Sequence, residues 1–238
     1  MADRKREHTA LITGASRGLG LALARGLAAR GWNLILTARD AERLDSVRDE
    51  LSVVTHVASI AGDVTSGSHR AALAVLARGH GGLDAVINNA GALGPSPPSE
   101  LLNHPLDALE AVFRANVIAP LGILQALRAE LTEGARVINV TSDAGVNAYV
   151  GWGGYGASKA ALEQLSAVLA VENPEVRVYW VDPGDMWTDM QQAAHPGEDI
   201  SDRPLPSTRV PAFIALLEED HPSGRYVAAD LAPATQPA

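Results

Sequence analysis

The sequence contains no cysteine among its 238 residues. Disulfide bonds and thiolate catalysis are therefore excluded, and the absence fits a reducing compartment such as the cytoplasm. The sequence also lacks an apolar run long enough to cross a membrane, and its charged start, MADRKREHTAL, contains no apolar signal-peptide segment. We therefore expect a cytoplasmic protein without a membrane partner.

Positive charge is scarce as well. The chain has 19 lysine and arginine residues against 28 aspartate and glutamate residues, which gives a formal net charge of −9. Proteins that bind nucleic acid generally carry a basic face, so no nucleic-acid partner is expected. The seven histidines are scattered without a metal-ligand spacing such as H-E-x-x-H, so no catalytic metal is predicted.

Strand-like and helix-like segments alternate along the chain. Short apolar runs such as TALIT predict buried strands, and leucines at helical spacing predict amphipathic helices. The predicted strands cover 9–13, 32–38, 53–59, 83–91, 136–142, 176–182 and 224–229, and the predicted helices cover 19–31, 42–51, 68–79, 106–131 (with a bend at Pro120), 155–172 and 211–220. This order predicts right-handed crossovers and a doubly wound parallel sheet with helices on both faces, a three-layer α/β/α architecture in a single domain over residues 1–238.

Two segments are predicted to lack regular structure. Residues 183–211 are rich in proline, aspartate, glycine and serine, which favours a long mobile loop. The tail at about 231–238, ending in APATQPA, is predicted to be disordered.

A glycine-rich turn, TGASRGLG at 13–20, joins the first predicted strand to the first predicted helix. Gly14, Gly18 and Gly20 would permit a tight turn, a close approach of a pyrophosphate and close packing of the helix on the sheet. The N–H groups at the helix N-terminus would then face the phosphates. A glycine pattern alone is weak evidence, but its place between a strand and an amphipathic helix favours a dinucleotide site.

Two arginines bear on which dinucleotide is bound. An acidic residue after the second strand would bind the ribose of NAD, whereas this chain has Arg39 there and Arg17 in the glycine turn. Guanidinium groups suit a phosphate, so NADP(H) is preferred over NAD(H). The alternative is that Arg39 only pairs with Asp40 or Glu42 at the surface.

A tyrosine and a lysine four residues apart lie in a predicted helix, at Tyr155 and Lys159. Residues at this spacing share a helix face, so the ammonium could lower the pKa of the phenol toward the operating pH. Ser142 ends a predicted strand, where side chains enter the crevice in which ligands bind in such folds. The Tyr155–Lys159 pair alone could have a purely structural role. The glycine turn, Ser142 and this pair follow one another in order, however, and chance is a poor explanation for all of them together.

These features together resemble the short-chain dehydrogenase/reductase family, in its single-domain branch with a Rossmann fold. Its most specific match is Ser142 thirteen residues before the tyrosine of Y-x-x-x-K, on an NNAG background at 88–91. Further matches are TGASRGLG, Asp63 with Val64, Asn116, and PGDMWT at 183–188, so the resemblance covers the chain from Thr13 to about Met190.

The resemblance implies a catalytic group of Asn116, Ser142, Tyr155 and Lys159. Tyr155 would exchange a proton with the substrate oxygen, and Ser142 would hydrogen-bond that oxygen. Lys159 would lower the tyrosine pKa and bind the nicotinamide ribose, while Asn116 would hold a water in the proton relay. The implied cofactor contacts are Gly14, Ser16, Arg17, Gly18, Leu19, Gly20, Arg39, Asp63, Val64, Asn89, Ala90, Gly91, Tyr155, Lys159, Pro183, Gly184 and Thr188.

The region after the sixth strand departs from the family's commonest form. Asp182 precedes Pro183-Gly184, and the acidic loop that follows would cover the substrate. Candidate substrate contacts, besides Ser142, are Trp152, Met186, Trp187, Met190 and Gln191, although simple packing explains each of the latter five equally well. The family's glycine-rich segment after the last strand is absent, so a homodimer is expected more than a tetramer.

The predicted function is NADPH-dependent reduction of a ketone or aldehyde to an alcohol, or the reverse, with Tyr155 as proton donor. The predicted partner is therefore a small carbonyl or alcohol substrate. Two alternatives are a non-catalytic dinucleotide sensor and an enzyme that uses the nucleotide for isomerisation or dehydration. A sensor would be expected to lose the tyrosine or the lysine, and this chain has both.

Overall fold

The computed structural model describes residues 8–231, so most of the predicted disordered tail lies outside the described residues. The seven strands are β1 (Thr9–Thr13), β2 (Asn33–Ala38), β3 (Val57–Ala61), β4 (Leu83–Asn88), β5 (Leu131–Val140), β6 (Arg177–Asp182) and β7 (Gly224–Val227). The eight α-helices are α1 (Gly18–Ala29), α2 (Ala41–Leu51), α3 (Gly67–Gly79), α4 (Leu106–Phe113), α5 (Ala119–Leu127), α6 (Gly153–Glu172), α7 (Asp189–Ala194) and α8 (Val210–Glu218).

The seven strands form one parallel sheet in the order β3-β2-β1-β4-β5-β6-β7. The chain reverses direction across the sheet between β3 and β4, which leaves β1 and β4 as neighbours. That reversal is the topological switch point of a doubly wound sheet, where a crevice opens beyond the carboxyl ends of the strands. The predicted fold class is confirmed.

Alternating side chains along each strand build two apolar cores, one on each face of the sheet. Ile12 of β1 packs with α1, α2 and α8, whereas its neighbour Leu11 packs with α3 and α5. Successive strand residues point to opposite faces, so apolar residues at consecutive positions are what a sheet covered on both sides requires. The result is the three-layer α/β/α arrangement in a single domain.

Two sequence predictions about this fold are corrected by the structure. The segment 106–131 is helical over 106–130, but the irregularity lies at a π-helical turn, Arg114–Ile118, between α4 and α5, and Pro120 follows this turn at the start of α5. The segment 183–211 is not a featureless loop, since it contains α7 and a 3₁₀ turn at Pro206–Arg209.

Among the described residues, no helix is both long and apolar enough to cross a bilayer. Within the same residues, no cluster of three or more histidine, aspartate or glutamate side chains could hold a metal ion.

Candidate active site

The predicted site residues converge on one edge of the sheet. Because all strands run parallel, the residues that follow them meet at the same edge. These are Gly14 after β1, Arg39 after β2, Asp63 after β3, Asn89 after β4, Ser142 after β5 and Gly184 after β6. The structure therefore brings the glycine turn, the NNAG segment and the serine into one crevice.

The glycine turn is held tightly by the NNAG segment. Asn89 donates from Nδ2 to the carbonyl oxygens of Thr13 at 2.9 Å and Gly14 at 3.2 Å. The main-chain N–H groups of Asn89 and Ala90 both donate to the Thr13 hydroxyl. Gly14 and Gly18 have positive φ angles of 66° and 56°, a region that glycine enters without strain. These four hydrogen bonds from Asn89 and Ala90 fix the conformation of the glycine turn.

The α1 N-terminus is suited to an anion. Arg17 is its N-cap, yet no side chain caps the helix, and the first turn contains no acidic residue. Uncapped N–H groups and the helix dipole favour a phosphate at this end. The glycine turn at 13–20 and the N-terminus of α1 together form a cradle, and its uncapped N–H groups fit the pyrophosphate of a dinucleotide. Ser16 borders it partly exposed, whereas the Leu19 side chain is buried in the core.

Arg17 reaches across the crevice to the segment after β6. Its Nη1 lies 2.8 Å from Asp189 Oδ2 in an exposed ion pair at the start of α7. The Thr188 methyl lies 3.6 Å from where a Cβ on Gly18 would stand. Thr188 accepts a hydrogen bond from Gln191 N, which leaves its hydroxyl proton free to donate. Thr188 therefore borders the glycine turn directly.

Arg39 and Asp63 mark the opposite end of the crevice. Arg39 is exposed, and none of the salt bridges among residues 8–231 involves it. Asp40 instead caps α2 and pairs with Arg43, so the alternative of a surface pair for Arg39 finds no support. Hydrogen bonds from Thr65, and more weakly the charge of Arg39, lower the pKa of Asp63. Val64, beside Asp63, is partly buried.

Asn116 lies in the π-helical turn and is fully buried. Its Oδ1 accepts from Ala92 N at 2.8 Å, and its Nδ2 donates to Ala92 O and to Ser158 Oγ, both at 2.9 Å. The side-chain amide therefore fixes the segment after NNAG against α6. Both amide protons are committed to these bonds, so the side chain has none to donate to a relay water.

Tyr155, Lys159 and Ser142 lie together at the start of α6. Lys159 Nζ donates to Val140 O at 2.8 Å and lies 5.4 Å from the centroid of the Tyr155 ring. Ser142 Oγ donates to Asp143 Oδ1 at 3.0 Å and accepts from Ala144 N at 3.2 Å. The i, i+4 spacing places the Lys159 ammonium over the Tyr155 ring, and the end of β5 places Ser142 two residues after the carbonyl that Lys159 binds.

The electrostatics of this group differ from the sequence prediction. Burial, followed by the carboxylates of Asp182 and Asp143, raises the pKa of Tyr155 above its ordinary value, and the hydrogen bond with Ser142 offsets this only in part. Lys159 is not among the groups that shift the tyrosine pKa, although its ammonium lies over the face of the ring. Burial lowers the pKa of Lys159 to about 8.

The candidate substrate residues divide into three groups. Trp152 lies against Tyr155, with ring centroids 5.7 Å apart in an edge-to-face arrangement. Trp187 and Met190 are exposed near the crevice, whereas Met186 is buried in the core, so packing explains Met186. Gln191 donates to Asp185 within its own loop.

Sequence reasoning missed two neighbours of the site. The ring centroids of His195 and Trp152 lie 6.2 Å apart, a contact between residues 43 positions apart in the sequence that only the fold creates. Glu163 lies one helical turn after Lys159 and raises the lysine pKa. Its i, i+4 spacing was the signal that could have found it.

Comparisons with known proteins show the family to which the chain belongs. The sequence model of the family described as short chain dehydrogenase matches residues 8–199. An L-xylo-3-hexulose reductase of Hypocrea jecorina is 36% identical over 79% of this chain and 69% of its own length, and a sulfoacetaldehyde reductase of Chromohalobacter salexigens is 38% identical over 73% and 70%. A short chain dehydrogenase of Shigella flexneri, solved in complex with NADP, has a TM-score of 0.88 at 28% identity over 96% of this chain and all of its own. The chain belongs to the short-chain dehydrogenase/reductase family and is an NAD(P)-dependent oxidoreductase.

Proposed function

We propose that this protein reduces a ketone or aldehyde to an alcohol with NADPH, with Tyr155 as the proton donor. The observation that carries the proposal is the position of the buried Lys159 ammonium, which lies over the Tyr155 ring and is bonded to Val140 O, two residues before Ser142 at the crevice edge. The family membership supports the reaction type, and two of the relatives are named as reductases of a carbonyl compound.

Tyr155, Ser142 and Lys159 have different roles in the proposed reaction. When bound, the nicotinamide supplies the hydride that reduces the carbonyl carbon. The raised pKa keeps Tyr155 protonated at neutral pH, which is the state that a donor to the substrate oxygen needs. Ser142 can turn its hydroxyl from Asp143 toward the same oxygen, because a hydroxyl rotor has one proton to give. Lys159, with other protons still available on its ammonium, would bind the ribose.

Arg17 and Arg39 support NADPH rather than NADH as the cofactor. Both guanidiniums lie at the edge of the crevice, and Arg39 has no carboxylate partner in the described part of the chain. A guanidinium without a partner is available for the 2′-phosphate, and charge-assisted bonds to phosphate are among the strong hydrogen bonds of proteins. The Shigella flexneri neighbour was solved with NADP.

The proposal is tested by mixing the protein with NADPH and a panel of aliphatic, aromatic and sugar-like carbonyls. We expect loss of the nicotinamide absorbance band with one alcohol formed per NADPH consumed. Product without net consumption of NADPH would favour isomerisation or dehydration. NADPH binding without any turnover across the panel would favour the sensor alternative.

The Arg39→Ala variant should bind NADPH about tenfold more weakly, a change of about 1.4 kcal/mol, while its affinity for NADH stays near the wild-type value. Only the 2′-phosphate distinguishes the two dinucleotides, so a phosphate contact must act on one of them alone. The measurement is the dissociation constant of each dinucleotide by quenching of tryptophan fluorescence. Arg43→Ala is the matched control, since Arg43 is an exposed arginine that pairs with Asp40 one turn into α2. Equal weakening of both dinucleotides in Arg39→Ala would contradict the prediction.

We also propose that the protein is a cytoplasmic homodimer. Val168 and Val171 of α6 expose 41% and 83% of their surface, and Ile118 at the end of the π-helical turn exposes 57%. Aliphatic side chains on exposed helix faces are suited to an interface between two copies. The absence of cysteine supports a reducing compartment.

A further inference from the structure

Arg225 joins three elements directly behind the reacting group. It lies on β7, and its Nε donates to Glu163 Oε1 and Oε2 of α6 at 3.1 Å and 3.3 Å. Its Nη2 lies 3.3 Å from Asp182 Oδ2 at the end of β6 and 3.4 Å from the main-chain oxygen of Ser142. One guanidinium thus ties together α6, β6 and the residue that follows β5.

The two carboxylates in this cluster are buried and share one cation. The side chains of Glu163 and Asp182 are 12% and 6% exposed, and the salt bridges that each of them makes within residues 8–231 are to Arg225, itself 25% exposed. A carboxylate removed from water needs a close positive partner and satisfied hydrogen bonds. Arg225 supplies the charge for both.

Each carboxylate also connects to the site through a second bond. Glu163 Oε1 accepts from Thr141 Oγ1 at 2.8 Å, next to Ser142 in the chain. Asp182 Oδ1 accepts from Gly184 N at 2.9 Å, and the resemblance names Gly184 as a cofactor contact. Loss of the Arg225 contacts would therefore loosen the two segments that border the crevice, the end of β5 and the turn after β6.

We propose that Arg225 is a positioning residue: its guanidinium fixes the end of β5 and neutralises the two carboxylates that lie behind the Tyr155–Lys159 pair. The proposal rests on the reductase function proposed above. Arg225 touches neither of the reacting hydroxyls with its side chain, so it acts through Glu163, Asp182 and the main chain of Ser142.

The charged groups around the pair determine the direction of the expected effects. Tyr155 is influenced by Asp143, which also accepts from Tyr149, and by Asp182, while Lys159 is influenced by Glu163 on its own helix. All three carboxylates favour the protonated form of their neighbour. Removing Arg225 leaves Glu163 and Asp182 uncompensated, so both members of the pair should hold their protons to higher pH.

The composition of the chain permits a direct measurement. The sequence has only two lysines, Lys5 and Lys159, so protein labelled in the lysine side chains gives two NMR signals. In a Lys5→Arg background a single signal reports the ionisation of Lys159 without cofactor or substrate. From the wild-type pKa of about 8, we expect Arg225→Met to raise the midpoint by about 0.5 to 1 pH units and Glu163→Gln to lower it by a similar amount.

Two variants separate charge from fold. Arg225→Lys keeps a cation and should return the Lys159 midpoint most of the way to the wild-type value, although an ammonium cannot reproduce the forked contacts. Arg177→Met is the matched control, because Arg177 is an arginine of the adjacent strand whose salt bridge is with exposed Asp220, and it should leave the midpoint unchanged. Should Arg225→Met fail to fold, Arg225→Gln, which removes the same charge but keeps a polar side chain, replaces it in this measurement.

The kinetic measurement connects this charge network to the reaction. In Arg225→Met, kcat for carbonyl reduction should fall about tenfold at neutral pH through the loosened Ser142, and the basic limb of the pH profile should move to higher pH. An unchanged Lys159 midpoint and pH profile in this variant, with normal wild-type turnover, would overturn the role of Arg225 alone. A wild-type protein that reduces no carbonyl would overturn the proposed function instead.

Discussion

Replacement of Tyr155 by phenylalanine should reduce kcat for carbonyl reduction by about 10² to 10⁴-fold, the range that a positioned proton donor contributes. The substitution removes the hydroxyl that contacts Ser142 but keeps the ring that packs against Trp152 and lies beneath the Lys159 ammonium. The fold around the start of α6 should therefore survive, and the loss should fall on the chemical step. The measurement is single-turnover reduction at saturating NADPH and carbonyl.

Cofactor binding separates this result from a damaged site. The NADPH dissociation constant of Tyr155→Phe should stay within a few-fold of the wild-type value, because no phosphate contact is altered. Tyr149→Phe is a suitable control: Tyr149 also donates its hydroxyl to a carboxylate, that of Asp143, but it is exposed outside the reacting group. Full turnover by Tyr155→Phe would remove the tyrosine from the mechanism.

The sheet was predictable because its signals are local. β1 and β2 are runs whose buried side chains alternate between two cores, and both were found within one residue of their bounds. The π-helical turn at 114–118 was not predictable, since Pro120 indicated only a bend and no residue type specifies the one added residue of such a turn. The early start of β5 at Leu131 was also missed, because the pairing with β4 shifts register between Leu83 and Ala85 and Gly134 within β5 has a positive φ angle, so the strand is irregular there.

The sequence could predict those site residues whose positions follow from local structure, such as residues one helical turn apart or at the end of a strand. Tyr155 and Lys159 share a helix turn, and Ser142 follows a strand that ends beside them. The direction of the tyrosine pKa shift was not predictable, because Asp182 comes from another strand and the depth of burial depends on the whole fold. Arg225 reaches Glu163 across 62 residues of sequence, and no local pattern indicates such a contact.

The substitution Gly20→Ala should weaken NADPH binding at least about tenfold, or about 1.4 kcal/mol, and lower the free energy of unfolding by about 1–3 kcal/mol. A Cβ at this position would stand 2.2 Å from the Gly14 carbonyl oxygen and 2.6 Å from Asn89 Nδ2. The main chain of the turn must therefore move, which disturbs the hydrogen bonds that Asn89 donates to it. The measurements are the NADPH dissociation constant and unfolding in urea.

Gly79→Ala is the matched control for this prediction. Gly79 ends α3, has no positive φ angle, and a Cβ there would meet nothing within 4 Å. Alanine favours a helix over glycine by up to about 1 kcal/mol, so this variant should be as stable as the wild type or slightly more so, with unchanged NADPH affinity. A Gly20→Ala protein that matched Gly79→Ala in both measurements would show that the close approach of Gly20 to Gly14 is not what shapes the cradle. Because the two substitutions add the same methyl group, any difference between them must come from the contacts around Gly20.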